Sequence, residues 1–491
     1  MEAEYRRCCG IDVHQKVLSV CVLPPVGSVG REVKEERFRT FTRDLKRLRN
    51  WLKQCGVTDI VMESTGQYWR PVWNILEGGF VNLVLVNPVQ VKALAGRKTD
   101  RLDANWLATR LERDNLKGSF IPPLEIRELR ELTRLRVSLL QDSNRVKNRI
   151  GQLCETGNIK VSSVASDLFG TSGRRMLAAL ERGDRDAGWM ADYAQGKLRN
   201  KKGELEMALQ GTFSDHQRHM LGRMLKQLNG LDQEVADLTE QIEQRVACWP
   251  DVMARLTTIP GLDRITAWTV LAEIGTDMDV FGDARHLASW AGLCPGLRES
   301  GGKRMSGKTR KGNRYVRRAL CQSAWAASRT KDSHLASMFR RIRGRRGTQK
   351  ANMAVAHHLL TIIFHVIKDG TVYQELGAGY FDQQNKPKVT RKLVERLERL
   401  GFAVQLEPIA EPETVLIPEP AAPGVAEAID AAGIGQPPPS PALQSQPATA
   451  PSRRRGRPCK CAERGIDCPH KKPPANRINS PGTETSKKLS H

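Results

Sequence analysis

The sequence predicts an α/β domain followed by a longer, mostly helical body and a low-complexity end. Short apolar runs alternate with helical patterns through the first ~120 residues, which suggests a mixed sheet flanked by helices. Leucines then recur at three- and four-residue steps through two long stretches. Past residue 402 the composition changes to proline and alanine, which cannot build a packed core.

Residues 8–12 and 17–23 read as two strands joined by the polar turn His14-Gln15-Lys16. Residues 36–41 form a third strand, followed by an amphipathic helix with Leu45, Leu48 and Leu52 on one face. Residues 59–63 make a short strand ending in a carboxylate. A helix over 68–76, an apolar strand over 81–86, a basic connector at 92–98 and a helix over 101–113 complete this domain, residues 7–120. Residues 124–249 carry the leucine rhythm: Leu129, Leu132, Leu135, Leu139 and Val146, then Leu221, Leu225, Leu228, Leu231, Val235, Leu238, Ile242 and Val246. The spacing predicts long coiled-coil helices, paired within the chain or between subunits, and Pro250 closes the second run. A third region, residues 250–370, opens on an apolar helix entered through Pro260-Gly261, passes a Gly- and Lys-rich loop at 296–313 and returns to helices. Residues 403–452 hold eleven prolines, six acids and no Lys or Arg, predicting a disordered linker, and 453–491 form a basic tail.

The chain has 78 Lys+Arg against 54 Asp+Glu, a net charge of +24, and nearly all of the excess lies before the acidic linker. A body so basic repels itself unless a polyanion neutralises it, and nucleic acid is the expected partner. The opening Met-Glu-Ala-Glu-Tyr-Arg-Arg is unlike a secretory leader. The apolar stretch 353–367, broken by His357, His358 and His365, is expected to be too short for a bilayer. Cys8 to Cys321 are scattered rather than framed for disulfides, as in a reducing compartment. A cytoplasmic, nucleoid-associated protein with no membrane partner is expected.

Four acids fall where a metal site could be built: Asp12 inside the first strand, Glu63 ending the fourth, and Asp100 and Asp103 three apart at a helix start. Two Mg²⁺ ions held by carboxylates would neutralise a scissile phosphate and activate the attacking oxygen. Each acid alone has a blander reading. Asp100 could cap its helix, Asp103 could pair with Arg97 or Arg101, and Glu63 could cap a turn. Asp12 resists one, because an acid within an apolar strand is costly unless paired or metal-bound. A second focus is "PGLRESGGKRMSGKTRKGNRYVRRAL", residues 295–320. There Ser300 precedes two glycines amid Lys303, Arg304, Lys308, Arg310, Lys311, Arg314, Arg317 and Arg318. Positive neighbours favour serine attack on phosphate, yet a phosphate-gripping loop with Ser300 capping a turn has the same composition.

The order of these acids resembles the RuvC-like branch of the RNase H fold. "GIDVHQKVLSVCVL", "MESTGQYWRPVWNILE", "LVNPVQVKALAGRKTDRLDANWLA", "SDLFGTSGRRMLAAL" and "IPGLDRITAWTVLAEIG" resemble the DEDD transposases of insertion-sequence family 110, over residues 8–330. The resemblance implies Mg²⁺ ligation by Asp12, Glu63, Asp100 and Asp103. It also implies a C-terminal transposase domain whose serine attacks DNA, matching Ser300, with Ser306 as the fallback. It further implies a structured guide RNA transcribed from the element, element-end and target DNA as partners, and a homodimer or homotetramer. "IPGLDRITAWTVLAEIG" is also similar to a helix-hairpin-helix element, with a buried helix entered through a tight turn as the alternative. A RuvC-like junction resolvase would need the acids and no serine. A transposase-derived binding protein would need neither.

Residues beyond about 402 depart from the family pattern. Arg455-Gly456-Arg457-Pro458 matches the core of an AT-hook, which inserts arginines into A·T minor grooves. Cys459, Cys461, Cys468 and His470 offer a Zn²⁺ ligand set similar to a SWIM-type finger, or a free-thiol tail.

Overall fold

The first strand, β1 (Cys8–Val13), is buried along its whole length, and its alternation organises the N-terminal half. Cys9, Ile11 and Val13 face one side of the sheet; Cys8, Gly10 and Asp12 face the other. β2 (Val17–Val22) and β3 (Lys34–Arg39) follow as an antiparallel meander, and β4 (Asp59–Glu63) and β5 (Asn82–Val86) run parallel to β1. The strand order is β3-β2-β1-β4-β5. The computed structural model describes residues 6–25, 32–88, 100–114, 116–184, 186–296, 298–300, 303–306, 309 and 311–407.

Each face of the sheet is covered by helices whose apolar stripes match it. α1 (Thr42–Gln54) buries Leu45, Leu48 and Leu52, and α2 (Trp69–Leu76) buries Val72, Trp73 and Leu76, against Ile11, Leu18, Phe38, Ile60 and Met62. α3 (Asp100–Glu112) covers the opposite face, setting Ala104, Leu107, Ala108 and Leu111 on Cys8, Val61 and Val86. α3 lies unusually close. A Cβ on Gly10 would stand 2.0 Å from the Ala104 carbonyl oxygen and 2.8 Å from the Ala108 nitrogen. Glycine in a strand interior here marks close approach of another backbone.

Two long helices carry the rest. α4 (Leu124–Thr156) and α9 (Asp215–Val246) pack antiparallel, joined by Glu128–Arg245 at 2.5 Å, Arg136–Thr239 at 2.7 Å and Ser143–Asp232 at 3.3 Å. The leucine rhythm thus pairs within the chain. Leu221, Leu225 and Leu228 enter one core, Ile242 and Val246 another, and Leu231 and Val235 between them are half-buried. Between the long helices the chain folds as α5 (Val161–Val164), α6 (Thr171–Arg182), α7 (Ala187–Ala191) and α8 (Lys202–Leu209). These close the first core with Met176, Leu177, Leu180 and Leu205. "SDLFGTSGRRMLAAL" opens α6. The other core holds α10 (Pro250–Thr257), α11 (Arg264–Ile274), α12 (Ala284–Trp290), α13 (Arg314–Ala327), α14 (His334–Arg346) and α15 (Thr348–Lys368). α16 (Tyr380–Gln384) and α17 (Lys386–Glu398) follow.

Several elements depart from expectation. The third strand occupies Lys34–Arg39 rather than 36–41, because Phe41 is spent as the exposed residue preceding α1. The loop expected at 296–313 contains a hairpin, β6 (Arg298–Ser300) and β7 (Lys303–Ser306). Gly261, with φ at +85°, packs on α13, where a Cβ would meet the Ser323 carbonyl oxygen at 2.5 Å. Its turn therefore serves helix packing, and α11 is buried from Ala267 to Ile274, as the alternative to a helix-hairpin-helix reading describes. α15 is long and apolar enough to cross a membrane, but 61% of its apolar window is buried within the protein, as in a core helix. The linker beyond residue 407 and the tail lie outside the described residues.

A Gly10→Ala variant should push α3 away from β1, at a cost of about 1–3 kcal/mol. Hydrogen exchange should speed up at Leu107–Leu111 and β1 while α11 and α15 keep their protection; unchanged exchange at α3 would show that the contact is not tight.

Candidate functional site

Period-two alternation places Asp12 and Glu63 on the face that α3 covers. β1 and β4 are adjacent and parallel, with Ile11 opposite Met62, so both acids lie at the carboxyl ends of their strands. Because Ala104 sits on Gly10, α3 starts near that same end and brings Asp103 with it. Asp12 is 6% exposed, and Glu63 and Asp103 are half-buried.

The electrostatics record the convergence. Burial raises the Asp12 carboxyl above the usual carboxylate range; His14 opposes that, while the negative charges of Asp103 and Glu63 raise it further. His14 Nε2 lies 3.0 Å from Asp12 Oδ2, on a side chain 54% exposed. Asp59, equally buried at the other end of β4, differs. Asn82 Nδ2 at 2.7 Å, Thr58 Oγ1 at 2.6 Å and Arg6 Nε at 3.2 Å satisfy it as a structural acid. Among the described residues no three His, Cys, Asp or Glu side chains already surround a metal-sized centre. Asp100 opens α3, but its side chain lies outside the described residues. A desolvated carboxylate beside two like charges nevertheless has the chemistry that a hard divalent cation relieves, and the all-oxygen donor set suits Mg²⁺.

Ser300 ends β6, and its backbone pairs with Lys303. The side chains of Ser300, Lys303, Arg304 and Ser306 lie outside the described residues, as do Lys308, Arg310, Arg455, Arg457, Cys459, Cys461, Cys468 and His470. Lys311, Arg314 and Arg318 are exposed and Arg317 half-buried; the Arg314 guanidinium lies 4.8 Å from the Tyr315 ring centroid. The hairpin is rooted firmly. Pro295 bridges Thr309, the Asn313 amide donates to the Trp290 carbonyl at 3.3 Å, and Gly312 packs on Gly292, where a Cβ would meet the Gly292 nitrogen at 2.3 Å.

Beneath that root lies a charge that sequence reading passed over. Glu273 on α11 is 0% exposed. Arg134 on α4 grips both its oxygens, at 2.7 and 2.8 Å, and Asn313 Nδ2 donates to it at 2.6 Å. Asn313 Oδ1 accepts from the Tyr315 and Val316 amides and so caps α13. Arg130 donates to the carbonyls of Ala272 and Glu273 at 3.1 and 2.6 Å. Toward the sheet, the same helix α4 holds Glu77 through Arg127 and Arg70 through Glu131. Arg127 is the main reason the Glu77 carboxyl titrates below its usual range. One helix is thereby pinned both to the acid-bearing domain and to the root of the serine hairpin. An acid amid the apolar run "TAWTVLAEIG" was the available signal, the same one that marks Asp12.

The chain thus joins an α/β domain with acids at two neighbouring strand ends to a helical domain that carries a hairpin rich in Lys, Arg and Gly. A family model described as a transposase matches residues 9–156, and one described as the IS116/IS110/IS902 transposase family matches 253–340. The chain belongs to the IS110 family of transposases. It is 33% identical over 189 residues to an IS900 insertion-element protein of Mycobacterium paratuberculosis, covering 36% of this chain and 46% of that protein. It is 31% identical over 147 residues to a pilin gene-inverting protein of Moraxella bovis, covering 29% and 45%. It is 34% identical over 145 residues to the mini-circle putative transposase for IS117 of Streptomyces coelicolor, covering 29% and 33%. The matched segments span less than half the length of these relatives.

Truncating Glu273 to Ala leaves the half-buried Arg134 and Arg130 without their carboxylate. Breaking a fully buried pair costs about 3–5 kcal/mol, and partial solvation of these guanidiniums lowers that to about 2–3 kcal/mol. The urea midpoint of the Glu273→Ala variant should fall accordingly; a midpoint equal to that of the wild type would show the network to be dispensable.

Proposed function

We propose that the protein is an insertion-sequence transposase that cuts and rejoins DNA with a RuvC-like carboxylate centre and a serine nucleophile. What carries the reading is that Asp12 and Glu63 share the sheet face covered by α3, which bears Asp103, with the charges of Glu63 and Asp103 felt at Asp12. The strand order, an antiparallel meander followed by two parallel strands, supports a RuvC-like domain at 7–120. The transposase match over 253–340 supports a transposase domain around Ser300. The pilin gene-inverting relative and the IS117 transposase are named for DNA rearrangement, which favours the same chemistry here.

Asp12, Glu63, Asp100 and Asp103 would hold Mg²⁺, which supplies charge neutralisation at the phosphate and acidifies a coordinated oxygen. Asp12, packed against α3, fixes the donor geometry, and His14 adjusts its charge. Ser300 Oγ forms a bond to phosphorus while the bond to the departing sugar oxygen breaks, leaving a phosphoserine that the reverse attack releases. Lys303, Arg304, Lys308, Arg310, Lys311, Arg314 and Arg317 counter the charge that builds on the phosphoryl oxygens. By family resemblance, a guide RNA selects the DNA by base pairing and a partner subunit completes the assembly. Arg455 and Arg457, with Zn²⁺ on Cys459, Cys461, Cys468 and His470, would add a tethered nucleic-acid grip through the linker.

With Mg²⁺, cognate RNA and element-end DNA, the wild-type chain should form a covalent DNA adduct mapped to Ser300. Ser300→Ala should abolish the adduct and lower recombination by about 10⁴-fold or more while DNA binding persists. Recombination by Ser300→Ala would favour a junction resolvase that uses the acids and water. Binding without strand transfer by the wild type would favour a non-catalytic nucleic-acid-binding protein.

A further inference from the structure

Some arginines of this protein meet acids: Arg47 meets Glu36, Arg174 meets Asp232 and Arg264 meets Glu243. The corner where α14 turns into α15 instead gathers several cations without such partners. Arg340, Arg343, Arg345, Arg346 and Lys350 are all exposed, and none is ion-paired to a carboxylate among the described residues. Arg341, in the same run, pairs with Asp382 at 2.9 Å. Between Arg340 and Lys350 the sequence contains no acid.

The negative end of α14 favours some of these cations, since Arg343, Arg345 and Arg346 lie in its last turn. It does not account for Arg340, a turn earlier, or for Lys350 in the first turn of α15, where the helix dipole opposes it. Like charges three or four residues apart repel. Beside the cations runs an aromatic strip. Trp325, on the last turn of α13, is 41% exposed; its ring centroid lies 5.6 Å from that of Phe339, and the Arg343 guanidinium lies 6.0 Å from the Phe339 centroid. Helical spacing sets Phe339, Arg343 and Arg346 on one stripe with Arg340 alongside. An exposed ring flanked by uncompensated cations is what a single strand needs: a stacking platform and partners for its phosphates. Gly347 leaves the first amides of α15 without a side-chain cap at the same corner.

We propose that this corner is a docking surface for single-stranded DNA, with a base stacked on Trp325 and the backbone gripped by Arg340, Arg343 and Arg346. The position selects which strand. Asn313, at the root of the serine hairpin, caps α13, which reaches Trp325 after about 18 Å of helix. A strand passing the hairpin root covers that length of helix within a few nucleotides. The choice of the cut DNA strand rests on the proposed transposase function; the surface itself rests on the corner alone.

The full-length protein, without Mg²⁺ or RNA, is titrated with a fluorescein-labelled oligothymidine and with a labelled duplex of equal length. The triple variant R340A/R343A/R346A should bind the oligothymidine at least tenfold more weakly, with its log–log salt slope reduced by about 2, since a single strand gives up ~0.7 per neutralised phosphate. Trp325→Ala should weaken binding by about tenfold at unchanged salt slope, and Trp325→Phe should restore it. Duplex affinity should change less. In the complete reaction, 5-iododeoxyuridine a few nucleotides from the cut end should photocrosslink to Trp325, and 5-iodouridine in the RNA should not. Unchanged oligothymidine binding by the triple variant, or a crosslink from RNA in place of DNA, overturns the proposal. A Ser300 adduct formed without the DNA crosslink overturns it while leaving the transposase function intact. Oligothymidine loss without any adduct upholds the surface and counts against that function.

Discussion

Residue 10 has no side chain, and the acidic centre depends on that. α3 can lie with Ala104 against the β1 backbone only because nothing projects from Gly10. The approach fixes both the height and the angle of α3, and with them the position of Asp103 relative to Asp12 two residues further along the strand. Burying a carboxylate beside others is unfavourable: desolvation chiefly, and repulsion from Asp103 and Glu63 in addition, raise the Asp12 carboxyl. Apolar packing of Leu107, Ala108 and Leu111 on Cys8, Val61 and Val86 offsets that repulsion. The fold holds Asp12 beside two like charges at the expense of its own ionisation, and a cation would reverse the sign of that interaction.

The second half of the molecule solves a different problem, that of holding a charged hairpin in a fixed place. A hairpin of Arg, Lys and Gly residues cannot bury enough surface to orient itself. Its root is therefore fixed from below by Asn313, and Asn313 by a carboxylate that never meets water. Glu273 is in turn held by Arg134 on α4, whose other contacts reach the sheet through Glu77 and Arg70. Buried ion pairs add little net stability but discriminate strongly against misplacement, because a shifted partner leaves a bare charge. α4 thus fixes the position of the hairpin root relative to the sheet domain through directional bonds as well as apolar contact.

Much of this was legible in the sequence. Asp12 stood out because an acid in an apolar strand needs a reason, and the amphipathic stripes of α1, α4 and α9 emerged from their leucine spacing. The same logic applied to "TVLAEIG" would have found Glu273, but its partners Arg134 and Asn313 are 139 and 40 residues away, beyond local patterning. The β6–β7 hairpin was hidden because charged residues and glycine give no alternation. The leucine rhythm could not say whether its partner was α4 or another subunit, since both satisfy the same heptads. Gly10 carried a readable signal, a glycine inside a buried strand, whose meaning needed α3 in view.

The convergence of the acids can be mapped without guide RNA or DNA. The full-length protein is loaded with Fe²⁺ in place of Mg²⁺ and exposed to ascorbate and peroxide, so that radicals generated at the bound ion cut the nearby backbone. Cuts should cluster around residues 12, 63 and 100–103, should be suppressed by excess Mg²⁺ and should disappear in Asp12→Asn. Cuts scattered elsewhere, or indifferent to Mg²⁺ and to that substitution, would mean that these carboxylates do not share an ion.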